Sequence, residues 1–236
     1  MTHLSLGLGD RDQVRTSLGG SIPAGSLVVI TGGTGTGKSV WTSRLAYGFL
    51  SEGHDVGMVS TEMPARSYID QMASLSYDVV DALLEDRLRY FHAPTHQDRS
   101  LIRPLVRPGP HWDGDVVCVD AFSALLTADP DLVHAFDAGE AAAVTRRVLA
   151  RLATARSDGT VLLVTVHPDA VPEAVYRTIT SAADVYFELQ TAEVGQSLRR
   201  SLVVRRFLEM PEPVDDTVGF SVEQGRGIVI ESRTIA

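Results

Sequence analysis

The chain has 236 residues, with 21 Lys+Arg against 30 Asp+Glu and a formal charge of −9. Hydrophobic residues make up 44% and charged residues 22%, which excludes a disordered chain or a fibre and suits one α/β domain with a sizeable core. Twenty of the cations are Arg and one, Lys38, is Lys; so acidic a chain argues against a broad, sequence-independent nucleic-acid surface, because nothing offsets phosphate repulsion.

The single Cys118 cannot form an internal disulfide, and in the run Val116-Val117-Cys118-Val119 it reads as a small buried hydrophobe. No apolar stretch approaches the roughly 18–20 residues of a membrane span. Met1-Thr2-His3-Leu4-Ser5 has neither a basic nor an apolar leader character. The expectation is a soluble cytoplasmic protein, able to dock onto a membrane complex.

In chain order, five short apolar runs read as strands: Leu27–Thr31, Val56–Thr61, Leu88–His92, Val116–Asp120 and Val161–Val166. Continuous Val/Leu/Ile runs are what a parallel sheet covered on both faces requires. Helices are expected at Lys38–Ser51, near Ala65–Leu75 and over Asp137–Arg156, stopping before Asp158-Gly159. Pro104–Pro110 reads as a loop, since strand 116–120 must rejoin the same sheet. After residue 183 the pattern turns to β segments at Asp184–Gln190, Leu198–Phe207, Thr217–Val222 and Gly227–Glu231, with turns at Gly195, Pro211/Pro213 and Gln224-Gly225. The reading is one domain over 1–236, with a mostly parallel core at about 21–183 and an antiparallel β extension at about 184–236.

The strongest local signal is Gly32-Gly33-Thr34-Gly35-Thr36-Gly37-Lys38-Ser39, which fits G-x4-G-K-[ST] between an apolar strand and a helix. Glycines let the loop bend while backbone N–H groups of Gly33 to Ser39 and Val40 face phosphates at a helix N-terminus. Lys38 would reach the β/γ-phosphates and Ser39 would ligate Mg2+. Asp120, ending a buried strand, is the expected second metal partner. Ala121 follows it, so the water-activating role falls to Glu62, at the end of Val56–Thr61; a helix-start acid is the plainer alternative there. Val164-Thr165-Val166-His167 offers Thr165 or His167 as a γ-phosphate sensor, against ordinary loop polar groups. His92 and His96 are separated by Pro94 and form no helical metal pair. Trp112 and Tyr90 read as packing residues.

With the P-loop, Ser60-Thr61-Glu62 and Asp120 in place, the chain resembles the KaiC-like branch of the RecA superfamily and, within it, the archaellum accessory ATP-binding family, FlaH or ArlH. The resemblance rests on Leu18 to Ser26, on Ser60-Thr61-Glu62-Met63 followed by Tyr68-Ile69-Asp70-Gln71-Met72, Ser74-Leu75 and Tyr77-Asp78-Val79, and on the tail Leu202 to Phe207, Thr217 to Val222 and Gly227 to Arg233. It implies a RecA-like P-loop core binding ATP and Mg2+, able to form a homo-oligomeric, hexameric ring. It also implies a place at the base of the archaellum, beside the motor ATPase, the membrane platform protein and cytosolic scaffold components. Hydrolysis is expected to be slow or absent, with nucleotide occupancy regulating the complex. KaiC-like relatives carry a cation, one residue and a second cation in the tail strand, which reach a neighbour's γ-phosphate. Here the positions read Arg205-Arg206-Phe207, leaving Arg205 as the candidate trans finger and favouring a switch over a fast ATPase. An active ring ATPase and a DNA-dependent recombinase remain the alternatives.

Overall fold

Each apolar run becomes a strand because its side chains can be buried on both sides of one sheet. The structure, a computed structural model, describes residues 2–231 apart from 10, 11, 97, 98, 157, 195, 196, 211 and 213. The expected turns at Gly195 and Pro211/Pro213, and the tail residues Ser232 and Arg233, lie outside the described residues. A small antiparallel pair, β1 (His3–Ser5) and β2 (Ser21–Pro23), precedes the main sheet. That sheet comprises β3 (Leu27–Gly32), β4 (Val56–Ser60), β5 (Leu88–His92), β6 (Val116–Asp120), β7 (Val161–Val166), β8 (Val185–Val194), β9 (Ser197–Phe207), β10 (Thr217–Glu223) and β11 (Gly227–Ile230), in the order β11-β10-β9-β8-β3-β7-β6-β4-β5.

The six strands from β5 to β8 in that order run parallel. Alternate residues of β3 feed opposite layers: Val28 and Ile30 join a core with Trp41, Phe49 and Met58, while Leu27 and Val29 join one with Phe122, Leu125 and Ile179. By direction β8 belongs with the parallel strands, and the antiparallel part begins with β9.

The helix at Lys38–Ser51 forms as expected and buries Trp41, Leu45 and Phe49. Its Arg44 is buried too, paired with Asp12, which also caps the helix Gln13–Ser17. Ala65–Ser74 is helical, one residue short of the expected end. The helix expected over Asp137–Arg156 forms as Ala141–Ala155, starting four residues later; Asp137 instead ends a separate helix, Pro130–Asp137, that was not expected, and Gly139, at φ +79°, lies between the two. Pro104 lies inside a short helix, Ile102–Leu105, and Pro110 opens a 3-10 turn, where a plain loop was expected. Trp112 and Tyr90 do pack: Trp112 is buried with Nε1 donating to Leu105 O at 2.9 Å, and Tyr90 stacks on Tyr68. Cys118 is a buried free thiol.

Candidate functional site

The P-loop turns between β3 and the helix Lys38–Ser51 under two backbone constraints. Gly37 sits at φ +104°, a conformation other residues adopt only at a cost of about 1–2 kcal/mol. A Cβ on Gly32 would fall 2.6 Å from Thr36 Oγ1 and 2.9 Å from Leu189 O. Thr36 Oγ1 in turn donates to Gly33 O at 3.0 Å, closing the loop on itself. Lys38 Nζ reaches back across the loop and donates to Gly32 O and Gly33 O, each at 2.8 Å. Burial pushes its pKa down, while Asp120 and Glu62 pull it up.

In-register pairing of β4 with β6 sets Ser60 beside Asp120, so their carboxyl ends lie level beside the P-loop. Asp120 is 5% exposed. Burial pushes its carboxyl above the usual carboxylate range; the Ser39 and Thr165 hydroxyls, the Lys38 charge and the Ala121 N–H oppose that shift. The Thr165 hydroxyl donates to Asp120 Oδ1 at 2.9 Å and accepts the Ala121 N–H at 2.6 Å. That second bond holds Ala121 at φ 62°, ψ 49°, a left-handed turn that starts the helix Phe122–Ala128. Ser39 and Asp120 are hard oxygen donors in contact, the set a Mg2+ ion takes when phosphates and water complete its shell. No cluster of three or more His, Cys, Asp or Glu ligands occurs among the described residues.

Glu62 projects from the exposed lip beyond β4. Its segment is fixed by Tyr90, whose hydroxyl donates to Met63 O at 2.7 Å, and its N–H meets Ser60 Oγ at 3.3 Å. Burial and the neighbouring Asp120 charge raise the Glu62 pKa, with Lys38 opposing them. His167 ties β7 to the P-loop: Nδ1 accepts the Asp169 N–H at 3.2 Å, which leaves Nε2 to donate to Thr34 Oγ1 at 3.0 Å. Its backbone N–H donates to Ser123 Oγ at 3.1 Å.

These groups converge on one cavity of about 570 Å³ at the carboxyl edge of the sheet. Thr34, Gly35, Gly37, Lys38, Ser39, Val40, Glu62, Asp120 and His167 line it. Gly33 and Thr36 stand in the loop behind that lining. Thr165 also stands behind it, fully buried, and so acts on the site by positioning Asp120 rather than by facing phosphate.

Of the lining residues, Ser123, Ala124, Ala170, Arg200 and Val222 escaped the sequence reading as site residues. The pairing Gly32↔Leu189 carries β8 and β9 past the P-loop, and Arg200 sits on that overhang opposite Thr191 and Phe220. No local motif marks Arg200; only strand register reveals it. Arg205 does not line the cavity. It falls at the irregularity where Tyr186 pairs with Arg206 and Phe187 with Val204, and its Nε donates to Glu188 Oε2 at 2.6 Å on an exposed surface. Arg206 caps a helix end, donating to Ala183 O at 2.7 Å and Ser181 O at 3.1 Å, and Phe207 packs on Phe187.

A family model described as "ATPase: KaiC" matches residues 12–107. An "Archaeal flagellar ATP-binding protein FlaH" from Methanocaldococcus jannaschii is 29% identical over 231 residues, covering 96% of this chain and 95% of the relative. The crystal structure of the flagellar accessory protein FlaH from that organism superposes with a TM-score of 0.83 at 28% identity, covering 98% of this chain and 100% of that one. A KaiC-like protein from Pyrococcus horikoshii gives a TM-score of 0.75 at 19% identity, covering 98% and 99% of the two chains, a likeness of fold alone. Given full-length coverage, the shared fold and a P-loop set against Asp120 and Glu62, the chain is similar throughout to the FlaH proteins, on the fold of the KaiC-like RecA branch.

Proposed function

We propose that the chain is an ATP-binding component of the archaeal flagellum, or archaellum, machinery, acting as a nucleotide-operated switch. The observation that carries this reading is the single cavity joining Lys38, Ser39, Asp120, Glu62 and His167 beside the P-loop. Backbone N–H groups of the loop and Lys38 would bind the triphosphate, and Ser39 with Asp120 would hold Mg2+, which supplies charge neutralisation between the phosphates. The names of the relatives support ATP as the nucleotide and the archaellum as the setting.

In the finer reading, ATP–Mg2+ draws Glu62 and the His167–Thr34 contact into one ordered arrangement. That state favours a homo-oligomeric ring, with six copies as the expected number, and association with the motor ATPase and the membrane platform protein. Arg205, exposed outside its own cavity, would exchange its Glu188 partner to reach a neighbouring copy. No helix among the described residues is long and apolar enough to cross a membrane, which fits a peripheral, cytoplasmic position beside membrane-embedded partners.

Lys38→Ala is expected to abolish ATP binding and to weaken association with the motor ATPase. Measured mass in solution should rise with ATP–Mg2+ for the wild type only. A Lys38→Ala chain that docks as well as the wild type would refute the switch. A second reading, slow hydrolysis with Glu62 orienting water, is favoured by the raised pKa of that carboxyl facing the cavity. Single-turnover hydrolysis unchanged in Glu62→Gln would remove it.

A further inference from the structure

Charge is distributed unevenly along this acidic chain. Residues 87–111 hold five of its arginines and three of its seven histidines, against one acid. The segment begins in β5, at one end of the nine-stranded sheet, and runs on through the short helix Ile102–Leu105. Arg87 and Arg89 are spent on Glu85 and Asp86, and Arg103 on Asp131. Arg99 and Arg107 stand exposed.

Arg99 and the exposed His92 border a second cavity, of about 200 Å³, whose walls are mainly apolar: Val59, Phe91, Leu105 and Leu125. Its floor is built firmly. Buried Asp129 accepts from Ser100 Oγ and from the N–H groups of Leu101 and Ile102 at 2.7–2.9 Å, which fixes the segment that carries Arg99 and Leu105. Asp129 is itself buried and does not line the cavity. The volume is below the roughly 300–1,000 Å³ of a small-molecule or cofactor site but suits a single large apolar side chain, the usual anchor of a protein contact.

We propose that this face docks an acidic segment of a partner protein, which inserts one bulky apolar side chain into the cavity while its carboxylates meet Arg99, Arg107 and His92. A patch made for phosphate alone, in nucleic acid or an anionic membrane surface, would have no use for an apolar pocket at its centre. The proposal does not depend on nucleotide, since none of these residues lines the P-loop cavity.

Fluorescence anisotropy with the full chain tests it. The probes are a labelled peptide of glutamates around one phenylalanine, its alanine-centred and lysine-flanked counterparts, a single-stranded oligothymidine, and phosphatidylglycerol vesicles. The acidic phenylalanine peptide is expected to bind at least roughly tenfold more tightly than the alanine-centred one, the gain from burying one large apolar side chain, and at least roughly tenfold more tightly than the lysine-flanked one, whose charges the arginines repel. The double variant Arg99→Glu, Arg107→Glu should lose that binding tenfold or more with an unchanged melting temperature. Ala93→Leu, which fills the cavity from its partly buried wall, should erase the preference for phenylalanine. No binding of the acidic phenylalanine peptide, or equal binding of the alanine-centred one, overturns the proposal. So does tighter binding of the oligonucleotide or the vesicles that is lost in the double charge variant.

Discussion

Thr165 and Asp120 are joined hydroxyl to carboxylate at 2.9 Å, across the ends of two adjacent strands. Because the same hydroxyl accepts the Ala121 N–H, one side chain fixes both the metal-facing carboxylate and the left-handed turn after it. Thr165→Val keeps the shape and removes both bonds. A buried carboxylate losing a donor and a buried N–H losing its acceptor cost about 1–3 kcal/mol each. Urea unfolding should register that loss, and ATP–Mg2+ affinity should fall with it; Thr165→Ser should restore most of both.

Asp120 itself opposes stability. Its carboxyl is raised by burial, so the folded chain holds that proton up to higher pH than the unfolded chain does. Between the two pKa values the folded state binds more protons, and stability therefore falls as pH rises through the folded value. Asp120→Asn, measured with a chelator present, should raise the melting temperature at neutral pH by an amount on the order of a few degrees. The gain should shrink as pH falls toward the ordinary carboxyl value of 3.8 and vanish below it, where Asp120 is protonated in both states. The same variant should lose Mg2+-dependent nucleotide binding.

Lys38 is the chain's one lysine. Its ammonium lies across the P-loop, where bound phosphate would cover it. Amine-directed acetylation followed by intact mass should show Lys38 protected about tenfold or more by ATP. The α-amino group serves as the unprotected internal reference.

Arg200 and Arg205 should separate cleanly. Arg200 lines the cavity of its own chain, on the side of the P-loop away from Asp120 and Glu62. Arg200→Ala is expected to weaken ATP and ADP about tenfold in calorimetry. Arg205→Ala, whose only described polar partner is the Glu188 carboxylate, should leave the affinity of a dilute, monomeric sample unchanged.

The parts of the fold legible in the sequence were those fixed by local chemistry. Val116–Asp120 and Val161–Val166 form over the expected residues because a parallel strand buried on both faces has no polar face to blur its ends. Lys38–Ser51 likewise starts where the glycine loop forces it to and runs to its expected end. What stayed hidden depends on distant partners. The break at Gly139 was not foreseen: the expected helix began at Asp137, whereas Phe136 and Ala141, on either side of the break, both pack into the same core. Thr165 and His167 looked alike, two polar residues at one strand end. Strand alternation sends the first into the sheet toward Asp120, and the second lies beyond the strand, against Thr34. Arg206 could be weighed as a member of a cationic tail only until the carbonyls of Ser181 and Ala183 were found beside it.

That last contact bears on how the molecule folds. Arg206 reaches from β9 to the end of the helix Glu173–Ala182, crossing from the antiparallel tail to the parallel half. Phe220 of β10 repeats the crossing on the other face, edge-on to Trp41 of the P-loop helix. The tail is thus no detachable appendage. Cutting the chain before β9 would strip a helix of its cap and uncover the aromatic floor beside the P-loop at once, so both halves should melt in one cooperative transition, and a truncated core should not survive to bind nucleotide.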